Sequence, residues 1–139
     1  EALKLKEGKK SVLQGVPKGL PALIKAQRMQ EKAAGVGFDW PNKAEVWAKF
    51  EEELEELKQA EESNNLLAVE EEFGDLFFSL INYARFLKIN PETALEKTNI
   101  KFKKRFEYIE KKATESNTEL TNMSLPQMEK YWIEAKNQS

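Results

Sequence analysis

The sequence has 139 residues, a formal net charge of −2 and 33% charged residues, which fits one compact domain. Lys and Arg are spread widely, which argues against a nucleic-acid surface or a basic membrane anchor, and no apolar run approaches the ~18 residues of a membrane span. The chain contains no His and no Cys, which excludes Ser-His-Asp and Cys-His catalysis and restricts a bound metal to a hard cation held by carboxylates.

The chain begins with a Lys- and Gly-rich stretch, residues 1–18, which we expect to be a flexible lead-in or linker before a domain over residues 19–139. A first helix is predicted over residues 21–34, because Pro21 suits a first helical turn and Gly35 and Gly37 end the pattern. The loop that follows carries two aromatic side chains, Phe38 and Trp40.

Asn42, followed by Glu45, is an N-cap signature that predicts a second helix to residue 62. Its apolar residues have helical spacing; they are Val46, Trp47, Phe50, Leu54 and Leu57. Residues 63–65 form a predicted turn that supplies caps for a third helix, over residues 65–87. This helix is apolar on most of its circumference, which predicts a central, buried position.

A fourth helix is predicted from Asn90 and Pro91 to residue 112, with a buried stripe that includes Phe102 and Ile109. Ser124 and Gln127 form a capping box for a short final helix that ends near residue 136. Because no segment alternates with period two, the predicted class is all-α, with four main helices and a short C-terminal one.

The acidic run at residues 51–56 contains carboxylates in two environments. At ~100° per residue, Glu51 and Glu55 point away from the apolar stripe, whereas Glu53 and Glu56 border it. Two carboxylates at i and i+3 repel each other unless a positive charge lies between them. The alternative is an ordinary solvated helix face.

The third helix repeats this spacing with Glu72 and Asp75, in the most apolar surroundings of the chain. If the second and third helices form an antiparallel hairpin, which their short connection favours, the two pairs face each other. Ionised carboxylates in such a place are costly unless they are neutralised. The sequence therefore predicts a carboxylate site for Mg²⁺, with Mn²⁺ as a substitute, since di-iron bundles also need His.

The fourth helix carries Lys101 and Arg105 at i and i+4. They would suit a phosphate group held against metal ions. The alternative is a solvated basic face shared with Lys103 and Lys104.

With these features the chain resembles the MazG-type nucleoside triphosphate pyrophosphohydrolases of the all-α pyrophosphatase superfamily. The family's EExxE motif stands at residues 52–56 and its ExxD motif at residues 72–75. Further similar segments lie at residues 20–23, 36–40 and 99–105, so the resemblance covers residues 20–136. It is greatest to the C-terminal of the two tandem domains in full-length bacterial members, and a sequence that opens on Glu1 is expected to be a piece of a longer protein.

The resemblance implies metal ligation by Glu53, Glu56, Glu72 and Asp75. It implies substrate contacts by a second set of residues, namely Lys49, Glu52, Glu53, Glu71, Lys101, Arg105 and Trp132. The chain departs from some members at residues 68–71, which lack a basic residue ahead of the ExxD motif.

The implied reaction is hydrolysis of nucleoside triphosphates to the monophosphate and pyrophosphate. We expect a homodimer, because members of the family pair their helices across a dimer interface and the apolar third helix needs more cover than one protomer provides. The lack of Cys favours the cytoplasm. Our hypothesis is that a metal-activated water attacks the α-phosphorus, with Glu52 or Glu53 orienting or deprotonating it and Lys101 and Arg105 stabilising phosphate charge. Trp132 or Trp40 would stack on the base. Two alternatives remain open: a narrower enzyme acting on a deoxynucleotide or phosphoribosyl-ATP, and a non-catalytic dimerisation or nucleotide-sensing module.

Overall fold

The computed structural model describes residues 11–138, and these contain helices and turns but no strand. The helices are α1 (Ala22–Gly35), α2 (Lys43–Glu62), α3 (Leu66–Phe86), α4 (Pro91–Glu115) and α5 (Leu125–Gln138), with one 3₁₀ turn at Leu120–Asn122. The predicted all-α class is confirmed. Within the described range, no helix combines the length and apolar character needed to cross a membrane.

The predicted lead-in, residues 1–18, lies only partly within the described residues. Residues 11–18 form turns, with the Gln14 N–H donating to the Ser11 carbonyl at 3.2 Å and the Val16 N–H to the Leu13 carbonyl at 3.0 Å. Residues 1–10 lie outside the described part of the chain, so the assignment of residues 1–18 as a flexible linker stays a prediction.

Asparagine side chains start the two helices that carry the candidate metal ligands. The Asn42 side-chain oxygen accepts a hydrogen bond from the Glu45 N–H at 3.0 Å. The Asn65 oxygen accepts from the N–H groups of Leu67 and Ala68 at 3.1 and 3.3 Å. Both caps satisfy amide groups that have no partner inside the helix, which confirms the predicted starts of α2 and α3.

A tight turn joins α2 to α3. Asn64 takes a left-handed conformation with φ of 57°, which Asn tolerates better than most residues, and the Ser63 hydroxyl donates to the Ala60 carbonyl at 2.6 Å. Helices joined by so short a connection run antiparallel, and α2 and α3 make the most extensive helix–helix contact in the described chain. The predicted hairpin is thereby confirmed.

The chain divides into two compact units, with the first ending at Glu92 and the second beginning at Thr93, in the first turn of α4. In the first unit, α3 contacts both α1 and α2, and Val46 and Ile81 are buried in its core. In the second unit, Ile109 of α4 is buried, and the Tyr108 hydroxyl donates to a Glu134 carboxylate oxygen at 2.9 Å.

Helix α3 is central in the first unit, since it contacts both α1 and α2, but these two helices do not cover it on all sides. Phe73, Phe77 and Leu80 remain 56%, 40% and 46% exposed, whereas Ile81 is buried. The three exposed residues stand at i, i+4 and i+7 and thus form one stripe, on a face that α1 and α2 leave uncovered. Phe102 in α4, expected in a buried stripe, is likewise 58% exposed.

Candidate active site

Carboxylates from α2 and α3 converge within the first unit. Glu53, Glu56 and Glu72 each offer a carboxylate oxygen, and these oxygens lie within 4.8 Å of one another. Residues three apart on a helix share a face, so Glu53 and Glu56 project together from α2, and the antiparallel turn brings Glu72 of α3 opposite them. We call this group the carboxylate cluster.

The carboxylate cluster has a deficit of positive charge. Among residues 11–138, Lys49 is the one cation paired with the cluster, with its Nζ 2.9 Å from Glu53 Oε1, and this hydrogen bond raises the pKa of Lys49. Glu53 is 5% exposed. Its Oε2 and the Oε2 of Glu72 are both buried with no hydrogen-bond partner in the described chain.

The lack of positive charge in the carboxylate cluster affects the pKa of Glu72. Desolvation raises the pKa of this carboxyl, and the negative charges of Glu56, Asp75 and Glu53 raise it further. Buried acceptors without a donor are unfavourable, and a cation that accepts oxygen ligands would satisfy them. The donor set is entirely oxygen, so the cluster is compatible with a divalent cation.

The other predicted residues near the cluster are placed differently. Asp75 is exposed and is not part of the group whose oxygens lie within 4.8 Å, although its charge reaches Glu72. Glu52 has a 57% exposed side chain, 3.5 Å from Lys49 Nζ. Glu71 is exposed. The assignment of Asp75 as a metal ligand and of Glu71 as a substrate contact therefore stays a prediction.

The predicted basic residues lie in the second unit. Lys101 and Arg105 line a cavity of about 320 Å³ together with Lys104 and Lys111. The Arg105 guanidinium lies 5.5 Å from the centre of the Trp132 ring, and its Nε is buried with no partner in the described residues. The structure thus brings Lys101 and Arg105 to one cavity. It also brings Arg105 into contact with Trp132.

A cavity in the first unit contains residues that the sequence did not single out. Its volume is about 620 Å³, and Gln30, Asp39 and Arg85 are among its lining residues. Arg85 donates to Asp39 through both terminal nitrogens, at 3.0 Å from Nη1 to Oδ2, and to Asn82 Oδ1 at 2.9 Å from Nη2. The available signal for Arg85 was that it is the one cation of α3, whereas no local pattern marked Gln30.

Replacing Asp39 by Asn tests the role of this ion pair in stability. Arg85 holds the pKa of Asp39 below its ordinary value of 3.8, so the carboxylate contributes stability above that pH and loses it as the pH falls through the lower folded value. We expect Asp39→Asn to cost about 1 kcal/mol of unfolding free energy at pH 7. Denaturation across a pH series should show this difference shrinking as the pH falls below 3.8, and a constant difference would contradict the assignment.

Replacing Glu72 by Gln tests the repulsion inside the carboxylate cluster. Because neighbouring carboxylates and desolvation disfavour the ionised form of Glu72, the neutral side chain should raise the Tm of the metal-free protein at pH 7.5. The same variant should lose most of the additional rise that the unaltered chain shows on addition of Mg²⁺. A fall in Tm without metal would contradict this electrostatic account; Glu71→Gln is the matched control at the neighbouring exposed carboxylate.

Comparison with known proteins shows which family and which relatives the chain is similar to. Residues 43–109 match the family described as the MazG nucleotide pyrophosphohydrolase domain. The nucleoside triphosphate pyrophosphohydrolase/pyrophosphatase MazG of Thermotoga maritima is 44% identical over 117 residues, which cover 84% of this chain and 45% of that protein. The nucleoside triphosphate pyrophosphohydrolase of Escherichia coli K12 is 38% identical over 130 residues, covering 92% of this chain and 49% of that protein.

A third relative, the uncharacterized protein YabN of Bacillus subtilis, is 51% identical over 130 residues, covering 91% of this chain and 26% of that protein. The chain thus spans about half, or less, of the length of these relatives. The segment matched by the family contains the carboxylate cluster together with Lys49, Lys101 and Arg105, whereas Gln30 and Trp132 lie outside it. The family match and the two pyrophosphohydrolase relatives show that residues 43–109 of this chain form a MazG nucleotide pyrophosphohydrolase domain.

Proposed function

We propose that this chain hydrolyses nucleoside triphosphates to the monophosphate and pyrophosphate. The observation that carries the proposal is the carboxylate cluster, with two buried oxygens that lack partners, inside a MazG domain. A nucleoside triphosphate is a natural ligand for such a site, because Mg²⁺ is commonly shared between protein carboxylates and substrate phosphates.

The metal in this proposal is Mg²⁺, with Mn²⁺ as a substitute. Glu53, Glu56 and Glu72 would hold it, and Asp75 is the fourth proposed ligand. All of these donors are hard oxygens, which favours such cations over softer metals. When bound, the cation supplies Lewis-acid polarisation of a phosphoryl oxygen and compensates negative charge on the triphosphate.

Helix α2 also carries residues with separate proposed roles beside the metal ligands, namely Lys49 and Glu52. Lys49 holds Glu53 through a hydrogen bond of 2.9 Å to Oε1, and the other oxygen, Oε2, is buried without a partner among residues 11–138. Glu52 is more exposed and not part of the cluster, so it is the better candidate to orient the attacking water and accept its proton. In that step the water oxygen bonds to the α-phosphorus, the bond from the α-phosphorus to the bridging oxygen breaks, and pyrophosphate departs.

Lys101 and Arg105 are proposed to bind substrate phosphates. Guanidinium and ammonium groups form strong, charge-assisted hydrogen bonds with phosphate oxygens, and the Nε of Arg105 lacks a partner in residues 11–138. Trp132 contacts both the Arg105 guanidinium and the Phe102 ring, whose centre is 5.4 Å from its own. These contacts favour a role for Trp132 in orienting Arg105 over stacking on the base.

The reaction is tested by product analysis in ¹⁸O-labelled water. The chain is incubated with a panel of ribo- and deoxyribonucleoside triphosphates, with and without Mg²⁺, and the products are separated and weighed by mass spectrometry. Attack at the α-phosphorus places ¹⁸O in the monophosphate and none in pyrophosphate. Release of the nucleoside diphosphate and inorganic phosphate would contradict the proposal. Binding of nucleotides without any turnover would favour the nucleotide-sensing module.

A cytoplasmic homodimer is part of the same proposal. The exposed stripe of Phe73, Phe77 and Leu80 on α3 supports it, because an apolar patch of this kind commonly marks a protein–protein interface. The cytoplasm is where nucleoside triphosphates are abundant, which supports the location.

Replacing Phe77 by Glu tests the homodimer. The unaltered chain should have twice the mass of one chain in light scattering at micromolar concentration, and Phe77→Glu should shift it towards a monomer, because a buried charge without a partner disfavours association. Leu125→Glu, at a 65% exposed position in α5, is the matched control and should leave the mass unchanged. A monomeric unaltered chain would contradict the prediction.

A further inference from the structure

The cavity of the first unit has the size and walls of a small-molecule site. Its volume of about 620 Å³ falls in the range of roughly 300–1,000 Å³ that ligand pockets occupy. Apolar and aromatic side chains form much of its wall, including Met29, Trp40 and Phe78. We call it the Gln30 cavity, after the buried polar residue that lines it.

Gln30 brings an unused hydrogen-bond acceptor to this cavity. The side chain is 7% exposed, and its Nε2 donates to the Phe78 carbonyl at 3.0 Å. That bond determines which end of the amide is the nitrogen, because a carbonyl can only accept. The other end, Oε1, is buried with no hydrogen-bond partner among residues 11–138. A buried acceptor in a ligand-sized cavity is suited to a ligand that carries an N–H group.

The cationic groups around the Gln30 cavity are already engaged. Arg85 donates to both oxygens of Asp39 and to Asn82, and Lys49 is paired with Glu53. Among residues 11–138, the lining of the cavity therefore offers no unpaired cation of the kind that binds phosphate, whereas Gln30 offers a neutral acceptor. This chemistry fits a flat, uncharged heterocycle better than an anionic group.

Lys49 connects the Gln30 cavity to the carboxylate cluster. Its side chain lines the cavity, and its Nζ lies 2.9 Å from Glu53 Oε1, within the cluster that would hold the metal. The two places are therefore neighbours within the first unit. A molecule whose phosphates are held at the cluster has the rest of its structure close to this cavity.

We propose that the Gln30 cavity binds the nucleobase of the substrate, and that Gln30 Oε1 accepts a hydrogen bond from an N–H group of that base. This inference rests on the proposed function and names the place where base preference arises. Trp40 lines the same cavity and is 40% exposed, so it offers an aromatic face on which different bases can stack.

The test separates recognition of the base from recognition of the phosphates. Binding is measured by calorimetry in Mg²⁺ with two kinds of probe: α,β-methylene analogues of the four common ribonucleoside triphosphates, which resist cleavage at the proposed bond, and inorganic tripolyphosphate, which has no base. Gln30→Met removes the acceptor while keeping a side chain of similar length. Gln27→Met carries the same substitution on α1, at a residue that does not line the cavity, and is the matched control.

We expect Gln30→Met to weaken the analogue that the unaltered chain binds most tightly by about tenfold, the loss of one hydrogen bond, and to leave the Kd of tripolyphosphate unchanged. Gln27→Met should change neither. A second variant, Ala33→Leu, extends a side chain at the cavity wall and should likewise weaken the nucleotide analogue but not tripolyphosphate. Thermal melting verifies that each variant is folded.

Two results would overturn the inference, and they differ from failure of the proposed function. If Ala33→Leu and Gln30→Met bind the analogues as tightly as the unaltered chain does, the base does not enter the cavity. If both variants lose tripolyphosphate and nucleotide equally, the effect is on the phosphate site. In either case the unaltered chain would still release pyrophosphate, whereas failure of the proposed function would appear as no pyrophosphate release at all.

Discussion

Replacing Glu56 by Gln is expected to lower kcat/KM for nucleoside triphosphate hydrolysis by at least about 100-fold. Glu56 offers one of the three carboxylate oxygens that lie within 4.8 Å of one another, and loss of an anionic ligand weakens both metal binding and charge compensation on the phosphates. The substitution keeps the size of the side chain, so the loss reflects charge and ligation. Steady-state pyrophosphate release across a range of Mg²⁺ concentrations measures it.

Glu55→Gln is the matched control for this prediction. Glu55 neighbours Glu56 on α2, yet it is exposed and outside the carboxylate cluster, so the same change of charge should alter kcat/KM by less than about twofold. If Glu56→Gln retains full activity, or if both variants lose activity equally, Glu56 is not a metal ligand. Partial rescue of Glu56→Gln by high Mg²⁺ would indicate that the remaining carboxylates still form a weak site.

Truncating Ile81 to Ala is expected to cost about 3 kcal/mol of unfolding free energy, the usual scale for removing a buried branched side chain. Ile81 lies in α3 and is 4% exposed, in the helix that contacts both α1 and α2. The cost combines the lost burial of apolar area with the cavity that remains. This is a large share of the roughly 5–15 kcal/mol typical of a folded domain.

Chemical denaturation at one fixed protein concentration measures this effect, because dimerisation would make apparent stability depend on concentration. Leu67→Ala is the control on the same helix: Leu67 is 78% exposed, so its truncation should cost less than about 0.5 kcal/mol. Equal losses in the two variants would show that α3 is covered on both sides in solution, and a loss at Ile81 below about 1 kcal/mol would contradict its place in the core.

Local chemistry made much of the hairpin predictable. Asn42 and Asn65 cap α2 and α3 as their positions in the sequence indicate, since a cap depends only on a side chain and the amides two or three residues later. The spacing of Glu53 and Glu56 put both on one helix face for the same reason. These relations are set within one or two turns of helix and need no knowledge of distant residues.

The meeting of Glu72 with the α2 carboxylates was a conditional prediction. It depended on an antiparallel hairpin, which the short turn favoured, and the left-handed Asn64 completes that turn. The predicted identities of the metal ion and of the nucleotide substrate did not depend on the hairpin. The absence of His narrowed the metal to a hard cation, and resemblance to the MazG family supplied the nucleotide, which spacing alone does not specify.

The helices, their caps and the two carboxylate pairs could be predicted without a structure, because they follow from contacts between residues close along the chain. Long-range packing, by contrast, buries Gln30 of α1 with its side-chain oxygen unpaired among residues 11–138, and brings Asp39 to Arg85 across 46 residues. It also leaves Phe77 of an apolar helix exposed. Burial depends on which helix faces neighbours cover, and this is set by the packing of α1, α2 and α3 together.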